Sequence, residues 1–415
     1  MRRLLPITLV LAGACATSRV EPTSVDMDIP IVSERAQRLY HDAIVIDTHN
    51  DMPTRMLDEG YDPAVRHPAG FTVGHGNTDL PRLMESGLTA EFMSAWVDAP
   101  YARKRGESFA RAIRYTEAIR AFADQHPDRL RFATTAADVR AAKRDGKVAI
   151  FIGLEGGHAI EGSLDGLREL YARGVRYMTL TWNNGNAWAG SSIGVDGSRK
   201  GGLTPFGRDV VHEMNKLGML VDVSHVSDST FFDAIAVSTV PVIASHSSAR
   251  ALNDVPRNLS DAQLRAIAKN GGVVNVNFYS RFLDPAYRTR VEEVEREIAR
   301  QRRTMPAGLD SAAVRARLAP MHDSLMARIP PTPFAVLIDH FDHIAKVAGV
   351  DHVGIGSDFD GVSALPAGME DVTGLPRIAQ ALLDRGYSDA DVTKMLGGNM
   401  LRVMTRVLDR HTAGP

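Results

Sequence analysis

Val148-Ala149-Ile150-Phe151-Ile152-Gly153-Leu154-Glu155-Gly156-Gly157-His158 runs for seven residues without a charge and then meets a glutamate. A run so short and so apolar reads as a strand covered on both faces, the kind found in parallel sheets. Placing a carboxylate at its end is costly unless the group is paired or bound to a cation. The two glycines that follow let the backbone turn sharply beyond it. His158, three residues on, reads as a loop-packing or orienting group rather than a ligand.

The same rhythm recurs along the chain. Strands are expected at Ala43–Asp51, Leu88–Val97, Lys147–Glu155, Val175–Trp182, Met219–His225, Val240–His246, Gly272–Tyr279 and Val353–Asp358. Segments of helical period separate them, as in Phe206–Leu217 and Asp261–Lys269, where Ser260 and Gln263 form a capping pair at the helix start. Eight βα units are the number that closes a parallel barrel, so the expected class is α/β, a (β/α)8 TIM barrel. One stretch interrupts it between the seventh and eighth strands. Residues 281–330, rich in Arg and Glu and ending in Ile329-Pro330-Pro331-Thr332-Pro333, read as a solvated helical insertion; a lid or a subunit contact is the alternative.

The chain has 415 residues, 44% hydrophobic and 24% charged, so it has ample material for one large domain and no sign of disorder. With 48 basic and 50 acidic side chains there is no basic surplus to suggest nucleic acid. A single cysteine excludes a disulfide framework and Cys-rich metal sites, so any metal must be held by His, Asp and Glu. Arg2 and Arg3 precede an apolar run from Leu4 to Ala12, too short to span a bilayer. Residues 1–15 are expected to be a signal peptide. Leu11-Ala12-Gly13-Ala14-Cys15 favours a lipoprotein signal with a lipid anchor at Cys15, and ordinary cleavage after Ala16 is the alternative. Residues 16–33 read as a tether and 34–411 as the barrel, on an exported protein.

In such a barrel the chemistry sits at the C-terminal strand ends. Those ends carry His49 and Asp51, Glu155, His225, His246 and Asp358. His49 and Asp51, two apart, can face the same way. Val221-Asp222-Val223-Ser224-His225 and Val242-Ile243-Ala244-Ser245-His246 are near copies, each ending in Ser-His. Five N/O donors, one of them able to bridge, suit a pair of divalent ions with zinc as the expected occupant. Asp358 is read as the carboxylate that carries a proton. Asp360, past the strand end, reads as structural.

Together these motifs resemble the membrane (renal) dipeptidase family of binuclear zinc peptidases, from about residue 43 to about 405. The resemblance is carried by Asp47–Asp51, Leu154–Gly157, Gly218–Val226, Val242–Arg250, Asn270–Val274, His340–His343 and Gly354–Gly361. It implies one zinc on His49, Asp51 and Glu155, and a second on Glu155, His225 and His246. It also implies proton transfer by Asp358, a grip on the substrate carboxylate by Arg257, and a homodimer. The family pattern departs at Leu180-Thr181-Trp182, where a histidine that contacts the substrate carbonyl is usual. Tryptophan is no substitute for an imidazole as a small donor. Asn183 or Asn184 is a candidate for the missing hydrogen bond, and Trp182, Asn183 and Tyr279 are expected to face substrate with Arg257.

The expected function is therefore hydrolysis of dipeptides by a two-zinc-activated water. Two other readings stay open: another two-metal amidohydrolase-like enzyme acting on a lactone, cyclic amide or phosphoester, and an exported zinc-binding protein without catalysis. The first usually has His-x-His on its first strand, where this chain has His49-x-Asp51.

Overall fold

The computed structural model describes residues 29–194, 201–306 and 308–411; the expected signal peptide and most of the tether lie outside them. The strands are β1 Ile46–Asn50, β2 Ala90–Trp96, β3 Leu130–Phe132, β4 Val148–Glu155, β5 Val175–Thr179, β6 Leu220–Asp222, β7 Ile243–Ala244, β8 Val273–Val276 and β9 Val353–Ile355. Each pairs in parallel with the next in the order β1, β2, β4, β5, β6, β7, β8, β9, and β9 returns to β1. Eight strands therefore close a barrel, the α/β TIM architecture.

β3 was not expected. It pairs with residues 148–150 of β4, just below the point where β5 takes over at residue 152. Its three residues are too few to show a period.

Several strands are also shorter than their apolar runs, because buried carboxylates take over the backbone at their ends. Asp222 Oδ1 accepts from Ser224 N at 3.0 Å and Ser245 N at 2.8 Å, which ends β6 and β7 before their Ser-His pairs. Asp47 Oδ1 likewise accepts from Ser357 N at 2.9 Å, where β1 meets β9. His225 and His246 thus sit three and two residues beyond the ends of their strands, outside the ladder.

Alternate residues fill two apolar layers. Phe92, Phe151 and Tyr177 stack inside the barrel with ring centroids 4.6 and 5.4 Å apart, and this cluster runs into Met400, Val403 and Met404 of helix Asn399–Val407. The other layer, including Ile150, Ile152 and Leu154, packs beneath the surrounding helices. Residues between β8 and β9 form helices Ser280–Leu283, Pro285–Arg303 and Ser311–Met326, followed by Phe334–Ala348 against β9. No helix among the described residues is long and apolar enough to cross a membrane.

Helix Asp261–Asn270 starts with a full capping box, Ser260 and Gln263 each bonding the other's backbone N–H, and ends at Gly271 with φ 84°. Ser260→Ala should lower stability by about 1 kcal/mol, read as a lower urea midpoint with unchanged slope.

Candidate metal centre

The barrel brings all six expected rim side chains to one buried cluster. Glu155, at the end of β4, divides its two oxygens. Oε2 lies 3.5 Å from His49 Nε2; Oε1 lies 2.9 Å from His225 Nε2 and 3.5 Å from His246 Nε2. Asp51 Oδ2 is 3.4 Å and Asp358 Oδ1 4.0 Å from the same His49 nitrogen. All six residues are buried.

Each imidazole turns Nε2 inward because its Nδ1 is engaged by the protein. His49 Nδ1 meets the Tyr177 hydroxyl at 2.7 Å. His225 Nδ1 meets Asn183 Oδ1 at 3.0 Å; that oxygen only accepts, so the ring carries its proton on Nδ1. Ser245 Oγ donates to Asp222 Oδ2 at 2.6 Å, so it accepts from His246 Nδ1 at 2.7 Å. Such outer partners orient metal-binding histidines and leave the Nε2 lone pair free for a cation. His225 and His246 Nε2 lie 2.9 Å apart, and buried His49 Nε2 and Asp51 Oδ1 have no hydrogen-bond partner among the described residues.

The electrostatics ask for positive charge at the same place. Burial alone would raise Glu155, but His49, His225 and His246 hold its carboxyl well below the usual range. Burial presses His49 down, yet Tyr177, Glu155 and Asp51 raise it well above an ordinary histidine. Burial lowers His225 to about 4, with Arg257 adding to the effect, and keeps that ring neutral. Burial raises Asp358 to about 7, with Asp51 and Glu155 adding while His49 and Asn277 oppose.

The donor set fits divalent metal. His49, Glu155 and His246 form one group whose ligand atoms lie within 4.8 Å of one another, and His49, Asp51 and Asp358 form another. Asp358 therefore stands at ligand distance, nearer the cluster than its expected role required. Gly361 is part of the reason that two acids fit: a Cβ there would overlap Asp51 Oδ2 and crowd Asp358 Oδ1.

A cavity of about 320 Å³ opens over the cluster. Arg257, Trp182, Asn183 and Tyr279 all line it. Arg257 is 3% exposed and bonds Ser247 Oγ at 3.2 Å and the His246 carbonyl at 3.1 Å, with no carboxylate partner among the described residues. Burial pushes it down to about 10, against the pull of Asp358 and Glu155. Trp182 packs edge-on to Trp96 at 5.2 Å, forming an aromatic wall. Asn184 turns away from the cavity: its amide donates to the Gly185 carbonyl at 3.3 Å. Asp360 accepts from Asn77 N at 2.8 Å and faces Arg55 Nε at 2.8 Å, tying two rim loops together.

Sequence reasoning missed Tyr177, Ser245, Asp222, Asn277 and Gly361. Ser245 was visible as half of a repeated Ser-His, and Tyr177 lies in a strand already expected. Nothing local marked Asn277, whose Nδ2 donates to Asp358 Oδ2 at 2.7 Å.

The model of the membrane dipeptidase family, peptidase family M19, matches residues 33–413. The chain belongs to that family. Its members are metallo-dipeptidases, hydrolases of peptide bonds, and this chain is one of them. Its fold is similar to that of the probable dipeptidase PvdM from Pseudomonas aeruginosa, with 27% identity, TM-score 0.79, and coverage of 91% of this chain and 98% of that one. A metallo peptidase from Rhodobacter sphaeroides, liganded with a phosphinate mimic of the dipeptide L-Ala-D-Ala, is 27% identical. It has TM-score 0.70 over 88% of this chain and 100% of that one. The dipeptidase AC, a metallo peptidase of family M19, is also 27% identical, with TM-score 0.69 over 88% and 99% of the two chains.

Tyr177→Phe should weaken metal binding about 10- to 100-fold, measured by competition with a chromogenic chelator, while the fold stays intact. Gly361→Ala should lose metal more severely, because Asp51 and Asp358 cannot both keep their places.

Proposed function

We propose that this dipeptidase works with two zinc ions, Glu155 bridging them, His49 and Asp51 completing one site and His225 and His246 the other. The observation that carries the reading is the split of Glu155, one oxygen toward His49 and the other toward His225 and His246. Two carboxylates with three imidazoles are a donor set suited to zinc. When bound, the ions would supply activation of a water and polarisation of the peptide carbonyl.

The chain's own groups do the rest. Arg257, an unpaired guanidinium at the cavity wall, takes the substrate's terminal carboxylate through its planar fork. Asp358 takes a proton from the attacking water on Oδ1 and delivers it to the leaving amine, while Asn277 fixes Oδ2. The Trp96–Trp182 wall excludes water from one side of the site. Asn183, with Oδ1 committed to His225, keeps its Nδ2 for the substrate carbonyl, the hydrogen bond that Trp182 does not provide. An anchor on one terminus and a cavity of this size favour dipeptides over longer chains. The dipeptide mimic bound by the Rhodobacter sphaeroides relative supports that substrate class. A homodimer exported and anchored through Cys15 would meet small peptides, including peptidoglycan-derived ones, outside the cytoplasm.

Asp358→Asn should retain both metals and lose activity by about 10²- to 10⁴-fold. Metal analysis beside the rate checks this: loss of an ion would instead make Asp358 a ligand, as its closeness to His49 allows. Asn183→Ala should cost roughly tenfold or more in kcat on a stereochemically varied dipeptide panel. An unchanged kcat would remove Asn183 from the reaction.

A further inference from the structure

The cavity over the metal centre is also lined by Thr54, Arg55, Glu59, Phe71 and Val362. Helix Met52–Asp58 begins on the residue after Asp51, and Arg55 and Glu59 follow Asp51 at intervals of four. Residues four apart share one side of a helix. Asp51, Arg55 and Glu59 therefore form a line that leads about 12 Å outward from the metal centre.

The same geometry sets the two residues of a dipeptide apart. Arg257 stands beside His246 and Ser247, on the His225–His246 half of the site. With the substrate carboxylate on Arg257 and the peptide carbonyl at Glu155, the first residue continues toward the His49–Asp51 half, where the helix starts. Its side chain then runs past Arg55, Phe71 and Val362, with Glu59 at the far end.

Charge decides what that end accepts. Arg55 is 2% exposed, with Nε 2.8 Å from Asp360, Nη1 3.1 Å from Glu59, and its guanidinium 4.8 Å from the centre of the Phe71 ring. That cation is committed to the protein and leaves almost nothing for a ligand to touch. Glu59 keeps its side chain 31% exposed, and Arg55 is its one cationic partner among the described residues. Two carboxylates against one guanidinium leave a negative surplus, and Glu59 is the acid that reaches the opening. Phe71, which is 44% exposed, and Val362 supply apolar surface on the way. Lysine and arginine match both features, since their stems lie along apolar surface while the charged head extends beyond it.

We propose that Glu59 selects dipeptides whose first residue carries a long cationic side chain, lysine or arginine, with Phe71 against its stem. The inference rests on the reading that Arg257 holds the substrate carboxylate.

The test measures kcat/KM of the zinc-loaded enzyme for L-lysyl-, L-norleucyl- and L-glutamyl-alanine, each with L- and with D-alanine. Norleucine keeps an unbranched stem and drops the charge. The lysyl peptide should exceed the norleucyl one by about tenfold, the worth of one charge-assisted hydrogen bond. Glu59→Gln, which keeps an acceptor for Arg55, should bring that ratio close to one, and Glu59→Lys should turn the preference toward the glutamyl peptide. Each ratio is taken within one variant, so a change in the fraction of folded or metal-loaded enzyme cancels. Equal values for the lysyl and norleucyl peptides, or a ratio that survives Glu59→Gln, overturn the proposal; the two-zinc reading still stands, because the norleucyl peptide is cut. A lysine preference found instead in alanyl-lysine over alanyl-norleucine, and abolished by Glu59→Gln, also overturns it and marks the Arg257 anchor as the part that failed.

Discussion

A carboxylate buried at the end of an apolar strand is the constraint from which the rest of this molecule follows. Glu155 lies at the barrel rim with two other buried acids, Asp51 and Asp358, and Arg257 is the buried cation that pulls on it. Removing an ion from water costs several kcal/mol even after the protein relaxes, so three acids packed together would drive the rim apart unless positive charge joined them. The imidazoles show the demand, because His49 is pulled toward its protonated form while His225 and His246 stay neutral with Nε2 pointing inward. Divalent cations meet that demand without a proton. The closed barrel makes the geometry possible by fixing eight strand ends against one another.

The outer hydrogen bonds show how little freedom the inner groups have. Tyr177, Asn183 and Ser245 each fix one imidazole, and Asp222 anchors Ser245 while also ending two strands. A single buried aspartate thus shapes both the local fold and the direction of a metal-facing nitrogen. His225 and Asp358 have φ values of 65° and 64°, the left-handed region that non-glycine residues seldom adopt. Backbone strain of this kind persists where the surroundings over-determine a functional group.

Much of this could be read in the amino-acid order, for a simple reason. Strands buried on both faces are continuous apolar runs, and a polar residue at the end of such a run is conspicuous. His49, Asp51, Glu155, His225, His246 and Asp358 all lie at such ends, and the eight-strand barrel follows from the number of the apolar runs. The rest depends on contacts between distant segments. Asn277 reaches Asp358 across 81 positions, and Gly361 matters only because two carboxylates from different strands converge on it. Asn183 and Asn184 are neighbours of the same type, and only the turn after β5 sends one into the cavity and the other away from it. β3 is too short to carry a pattern, and the early ends of β6 and β7 were hidden because Asp222 stops them from within.

Crystals of the zinc-loaded chain can be measured for anomalous scattering on both sides of the zinc absorption edge. The expected map has two zinc peaks per chain, one on each side of Glu155, with His49 and Asp51 at the first and His225 and His246 at the second. A single peak, or two that do not share Glu155, would contradict it.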